Sequence, residues 1–473
     1  MKKFFISIKD SFINVFKKDS KEENLFKLDG RVPLKKAIPF GIQHILAMFF
    51  ANVTPILIVF GAIGIYGTNL ATKALIGALF MAGIGTLIQL FIGARLPIVV
   101  GTSFTFASIC ITIGLSKGGG EIGYYTILGS TLVGGIISLI LCFFINYWRK
   151  LIKPIVPCVV IFGIGLSLLK SGATQFLGGD NVLSNLANGN EPPVPYYFYL
   201  IVSLSVLICA ILWQIIAKGI WKNLNIAFGI VIGYIICLFI PNMLDFSNMQ
   251  IQSINDVISL PSFINLSKLN FEITPIILVT ICFLISILEG IGNTTALCQE
   301  GLNRSPTNRE IRGALMSDAF SSSLSSIFGT LPLTTFAQNV SIVAQTKVIN
   351  KFTIFIGALI LIFTSFFPIA ANFLFTIPDA VLGGAMVILF GSIVTVGMKL
   401  CAQAGFNNKN ILIISISTCL GFGITLCDGL FTYLHSINLD YLADLLSNNI
   451  LNMFIISLIL SFIIPEEKQT KDI

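Results

Sequence analysis

The sequence predicts an all-α polytopic membrane protein with fourteen transmembrane segments, and three observations carry that expectation. The 473 residues are 55% hydrophobic and only 11% charged, against about 25% charged in a soluble globular chain, so lipid is the main solvent. Apolar stretches approaching the ~20 residues that a helix needs to cross hydrocarbon recur along the chain. Basic residues are concentrated in alternate gaps between those stretches.

The elements run in order as follows. Residues 1–36 are polar and amphipathic, with Phe4, Ile8, Phe12 and Phe16 at helical spacing, and read as a cytosolic or interfacial tail. No N-terminal signal peptide is visible. Candidate spans lie near 38–60, 71–93, 97–114, 122–147, 151–170, 196–217, 224–241, 274–298, 311–329, 333–346, 352–371, 380–398, 410–428 and 449–464. The long connections 171–195 and 242–273 are rich in turn formers (Gly178-Gly179-Asp180, Pro192-Pro193, Pro241-Asn242) and are placed outside. The stretch 429–448 is amphipathic and suits the outer interface.

Charge tests the count. With the N-terminus inside, 25 of the 29 Lys and Arg fall on the cytosolic side, among them Arg149, Lys150, Arg304, Arg309, Arg312, Lys347 and Lys351. Only Lys73, Lys117, Lys170 and Lys268 fall outside. A miscounted span would scramble the alternation from that point onward. The expected location is therefore the inner or plasma membrane, multi-pass, with both termini cytosolic. The net charge of +7 is topological, with anionic lipid rather than nucleic acid as its partner.

Composition also sets aside several chemistries. The ten cysteines are scattered singly and form no C-x-x-C pair, so neither a disulfide framework nor a metal site is expected. His44 and His435 are remote from each other, and no nucleophile–base pair or phosphate loop appears. An enzyme is not expected.

Two segments are too short and too polar to be simple helices. The third reads Pro97-Ile98-Val99-Val100-Gly101-Thr102-Ser103-Phe104, and the tenth Pro332-Leu333-Thr334-Thr335-Phe336-Ala337-Gln338-Asn339. The β-branched and aromatic residues in each suit a short extended stretch, with helix resuming afterwards. Extended backbone is tolerated in lipid only where it pairs or lines a cavity. The two breaks are seven segments apart, which suits two inverted seven-segment repeats. Matched breaks of this kind point to a transporter's binding site near the midplane, with each resumed helix aiming a partly positive N-terminus at the ligand.

Ionisable residues inside spans are functional candidates because burying one charged costs about 2.5–3.5 kcal/mol. Glu289 follows an apolar run, and Asn293 lies one helical turn further on the same face, with Gly290 and Gly292 allowing close approach. Glu289 can accept hydrogen bonds from a heterocycle's N–H groups or carry a proton. Asp318 can serve the same coupling or act as an interhelical strut, and His44 can be a packing group or a ligand. Gln338 and Asn339 each offer donors and acceptors, as recognition of a flat, polar-edged ring requires, and Phe104 offers a stacking face.

Four pieces resemble the nucleobase–ascorbate transporter family: Gln43-His44 with Ala47-Met48, Gly101-Thr102-Ser103-Phe104, Glu289-x-x-Gly292, and Thr334-Thr335-Phe336-x-Gln338-Asn339. The run from Gln338 to Lys347 is similar to the family signature, with Ser341 where the signature has glycine. The resemblance implies two inverted repeats divided into a core domain (37–150 and 274–375) and a gate domain (151–273 and 376–464), with tails at 1–36 and 465–473, and commonly a homodimer. It implies a base held by Glu289 and by the backbone N–H groups of Ala337 and Gln338, with Phe104 on the ring, Ala51 beside it, and Asn293 and Asn339 in the same pocket. Glu289, His44, Asp318 and Ser103 are the expected proton-coupling and polar network. Gln338 resembles the xanthine and uric acid branch, whereas uracil carriers usually have Glu there. Asn293 departs from the Asp or His common at its position. The expected activity is xanthine or uric acid symport with protons and no cofactor. The alternatives are a uracil or other nucleobase symporter, or an anion transporter or channel of the same fold.

Overall fold

A computed structural model describes residues 2–16, 20–148, 153–218, 224–246 and 257–465. The helices are α1 (Lys2–Val15), α2 (Leu34–Ala62), α3 (Asn69–Phe91), α4 (Ala107–Ser116), α5 (Gly120–Phe143), α6 (Ile145–Trp148), α7 (Ile155–Phe176), α8 (Asp180–Ala187), α9 (Tyr196–Ile216) and α10 (Asn225–Leu238). They continue with α11 (Ile273–Leu302), α12 (Asn308–Ile327), α13 (Ala337–Thr346), α14 (Lys351–Thr364), α15 (Pro368–Phe375), α16 (Asp379–Ala404), α17 (Asn408–Gly423), α18 (Asp428–Ser436), α19 (Asp440–Leu446) and α20 (Asn449–Ile463). Two strands, β1 (Val100–Thr102) and β2 (Leu333–Thr335), complete the regular structure.

The chain is a mostly helical, multi-pass membrane protein. Among the described residues, eight helices are long and apolar enough to cross a bilayer, or nine if α14 and α15, bent by 82°, form one span. Each of the fourteen expected stretches contains helix, but not all of them meet that standard. Strands shorten α4 and α13, α10 and α20 have only 14 and 15 residues, and α12 is rich in serine. The amphipathic stretch 429–448 is the pair of short helices α18 and α19. The expected tail beyond residue 465 and residues 247–256 of the connection before α11 lie outside the described residues.

Packing follows the small residues. Helix α7 lies against α16 so closely that a Cβ at Gly397 would stand 2.5 Å from the Phe162 backbone. Helix α12 packs on α5 and α3, α14 on α2 and α3, and α11 on α5. Helices α9, α10, α17 and α20 gather around α7 and α16.

The strands occupy the two interrupted segments, where extended backbone was expected. They pair antiparallel, with Val100 opposite Thr335, Gly101 opposite Thr334 and Thr102 opposite Leu333. Flanking bonds run from Phe336 N to Val99 O (3.0 Å) and from Ser103 N to Pro332 O (2.9 Å). The crossing point needs glycine: a Cβ on Gly101 would stand 2.6 Å from the Phe336 ring and 2.7 Å from Asn52 Oδ1.

Candidate substrate site

A two-stranded ladder leaves an outer row of backbone donors and acceptors on each strand, and hydrocarbon cannot satisfy them. Side chains from four helices do so. Val100 N donates to Thr86 Oγ1 (3.1 Å) on α3, and Thr102 N to Asn52 Oδ1 (2.7 Å) on α2. On β2, Leu333 N donates to Ser322 Oγ (2.9 Å), which donates in turn to Leu333 O (2.8 Å). Thr335 N and Oγ1 donate to Asp318 Oδ2 at 3.1 and 2.9 Å, and Asn293 Nδ2 donates to Thr335 O at 2.9 Å. The other Asp318 oxygen accepts from Gln89 Nε2 at 2.8 Å. The chain thus supplies inside the membrane what water supplies to an edge strand outside it.

The helices that resume after the strands begin at this frame. Helix α13 starts at Ala337 with Phe336 at its N-cap, which offers no side-chain acceptor to the first turn. Ala337 and Gln338 are both half-buried. Asn339 is fully buried and ties α13 down: its Nδ2 donates to Pro97 O (2.7 Å), and its Oδ1 accepts from His44 Nδ1 (2.7 Å) on α2. That contact fixes the proton on Nδ1 in a neutral imidazole and leaves Nε2 an acceptor. After β1, one turn of 3-10 helix (Phe104–Phe106) leads into α4.

Glu289 faces this region from the middle of α11. It is half-buried, and Thr105 Oγ1 donates to its Oε2 at 2.7 Å. Gly292, three residues on, borders open space, since a Cβ there would meet nothing within 4 Å. Phe104 packs edge-on against Phe390 of α16, with ring centroids 5.5 Å apart. Buried His44 Nε2, Asn52 Nδ2 and Ser103 Oγ have no hydrogen-bond partner among the described residues. Such groups are costly inside a protein unless a ligand or water meets them.

The sequence-predicted residues therefore gather, but with different duties. Asn293 and Asp318 meet at Thr335 of β2, Glu289 bonds to Thr105 in the turn after β1, and His44 meets Asn339. Both ends of the Asn339 amide, and the Asn293 Nδ2 donor, are engaged within the protein. Ala51 is buried in α2 beside Asn52, and the Ser103 backbone extends the ladder. Ser341, the departure from the signature, has a side chain outside the described set. Sequence reasoning missed Asn52, Thr86, Gln89, Thr105, Ser322 and Phe390. A polar side chain within an apolar span, as at Asn52 and Gln89, was the available signal. Nothing local marks Phe390 among forty phenylalanines.

Comparison with known proteins decides the family. Residues 35–429 match the Permease family model, that of the nucleobase–ascorbate transporters. The chain belongs to that family. As a nucleobase–ascorbate transporter family member it is a permease and not an enzyme. It is 32% identical over 414 residues to the xanthine permease XanQ of Escherichia coli K12, spanning 85% of this chain and 86% of that one. It is 31% identical to the xanthine permease of Bacillus subtilis 168, over 85% and 88% of the two chains. Solved structures that share the permease's fold include two transporters. The transmembrane domain of the cyanobacterial bicarbonate transporter BicA matches with a TM-score of 0.57 at 16% identity, covering 88% of this chain and 97% of that one. The murine anion transporter Slc26a9 in its inward-facing state matches with a TM-score of 0.66 at 10% identity, covering 98% and 72%.

Proposed function

We propose that this permease imports a nucleobase, xanthine or uric acid, together with a proton, by alternating access. One observation carries the reading: a half-buried carboxylate, Glu289, stands beside paired broken spans whose resumed helix α13 begins at Ala337 and Gln338. A flat base presents N–H donors and carbonyl acceptors on one edge. Glu289 accepts from the donors, and the N–H groups of Ala337 and Gln338 meet the acceptors, strengthened by the positive end of α13. Phe104 lies on the ring and Ala51 beside it. Asn293, Asn339, His44 and Asp318 hold the frame, and Ser103 Oγ is available to the ligand. The xanthine permease names of the relatives favour the substrate.

The coupling proton resides on Glu289 in the loaded carrier, which removes a charge that would be costly to move through lipid. The core domain comprises 37–150 and 274–375, and the gate domain 151–273 and 376–464. The separate gathering of α9, α10, α17 and α20 around α7 and α16 supports that division. The core slides against the gate, and Phe104 meets Phe390 across the boundary. The fourteen-segment inverted repeat, the homodimer and the cytosolic termini belong to the same reading.

The test is a competition panel: uptake of labelled xanthine challenged with uric acid, uracil, guanine, hypoxanthine and ascorbate. Inhibition by uric acid and not by uracil is expected, and uracil as the strongest competitor would move the chain to the uracil branch. The fold of BicA and Slc26a9 favours a second reading, an anion carrier. A carboxylate in the site opposes it, and bicarbonate or chloride uptake without xanthine uptake would establish it.

A further inference from the structure

The N-terminal residues, expected as a cytosolic or interfacial tail, are folded onto the helix bundle at α3 and α14. Helix α1 buries Val15 completely and sets the Phe12 ring 4.9 Å from Phe91 at the end of α3. Phe16 stands edge-on to Phe352 and Phe355 of α14, at 5.8 and 5.0 Å. Residues 20–31 then cross the turn that joins α13 to α14. Leu25 O accepts from Ile349 N and Leu28 O from Lys351 N, both at 3.1 Å, while Lys351 Nζ donates to Asp29 Oδ1 at 2.9 Å.

The centre of this strap is Asn350. Its Nδ2 points at three carbonyl oxygens of the crossing loop, those of Asn24 (2.8 Å), Lys27 (3.2 Å) and Gly30 (2.9 Å). Its Oδ1 accepts from Thr353 N (3.2 Å) and caps α14. The loop is closed by Asn24 Nδ2 donating to Arg31 O (2.8 Å) and by Gly30 in the left-handed region, φ +106°.

Helix α13 has ten residues, too few to hold its own place. Asn339 fixes the end near the site, and the far end terminates at Lys347 in the left-handed conformation, directly before the strapped turn. We propose that residues 20–31 are a positioning device for transport: pinned through Asn350, they hold the far end of α13, and so aim its first turn at the base. The proposal rests on the substrate site assigned above.

Two substitutions release the strap from opposite sides. Asn350→Ser keeps a hydroxyl acceptor for the α14 cap while removing the amide donors. Gly30→Ala strains the loop and leaves α14 untouched, because a Cβ there would also press on Asn24 Nδ2 at 3.0 Å. Trypsin digestion of the full-length purified protein reads strap release at Lys21, Lys27 and Arg31. Each variant should speed cleavage there on the order of tenfold, the effect of losing one or two buried hydrogen bonds. Each should also raise KM severalfold for whichever labelled base the wild type carries, at normal protein amounts. Faster cleavage with unchanged KM, or unchanged cleavage in both variants, overturns the proposal. If Asn350→Ser fails to reach the membrane, Gly30→Ala decides alone. Failure of this proposal leaves wild-type uptake intact, whereas failure of the functional reading shows as no nucleobase uptake by the wild type itself.

Discussion

Glu289 and Asp318 differ in how their oxygens are used, and the proposal of a transport role for the first and a structural one for the second rests on that difference. Among the described residues Asp318 accepts three hydrogen bonds, from Gln89 Nε2 and from Thr335 N and Oγ1, whereas the half-buried Glu289 accepts one, from the Thr105 hydroxyl. Glu289→Gln keeps shape and removes the group that carries the coupling proton, so uptake should fall by about 100-fold or more, roughly 3 kcal/mol at 1.4 kcal/mol per tenfold, with normal protein in the membrane. Wild-type uptake with an unchanged pH profile would contradict the assigned role. Asp318→Asn turns an acceptor into a donor facing other donors. It should lower thermal stability in detergent by about 1–3 kcal/mol, well beyond the effect of Glu289→Gln. Equal melting temperatures for the two variants would show that Asp318 does not hold β2. Gln338→Glu removes a donor and adds a charge, so xanthine affinity should fall, with uracil gaining as a competitor. An unaltered competition profile would mean that Gln338 faces away from the base.

At the scale of elements, the paired strands depend on Gly101. Gly101→Ala forces a methyl against the Phe336 ring and Asn52. Overpacking of this kind costs about 1–3 kcal/mol, so less folded protein and weaker uptake are expected, while a neutral Gly101→Ala would mean that the crossing relaxes freely. The strands were legible from their prolines, glycine and β-branched residues, because extended backbone in lipid needs that chemistry. Their partners were not. Asn52, Thr86 and Ser322 reach the ladder from three other helices and Gln89 braces Asp318 behind it, contacts that local patterns do not specify. Asn293 was legible as a turn-mate of Glu289, but whether its amide meets ligand or the Thr335 carbonyl depends on where β2 lies. The same holds for residues 20–31: their polarity suggested a tail, and only the placement of Asn350 makes them a strap.

For the whole molecule, the alternation of basic residues and apolar stretches made the multi-pass architecture readable, since hydropathy and charge act locally on insertion. The number of full-length spans was less readable, because α4, α13, α10 and α20 are held by neighbours rather than by their own length. The proposed orientation can be tested directly. Single cysteines near Arg304 and Arg309, in a background without native ones, should resist membrane-impermeant thiol reagents in intact cells, and rapid labelling would invert the topology. The central claim, that a proton moves with the base, is tested by labelled xanthine uptake into vesicles holding the purified protein. An inward proton gradient in sodium-free buffer should drive accumulation that a protonophore abolishes, while exchange of internal for external base continues. Concentrative uptake driven instead by a sodium gradient at equal pH and zero potential would contradict the account.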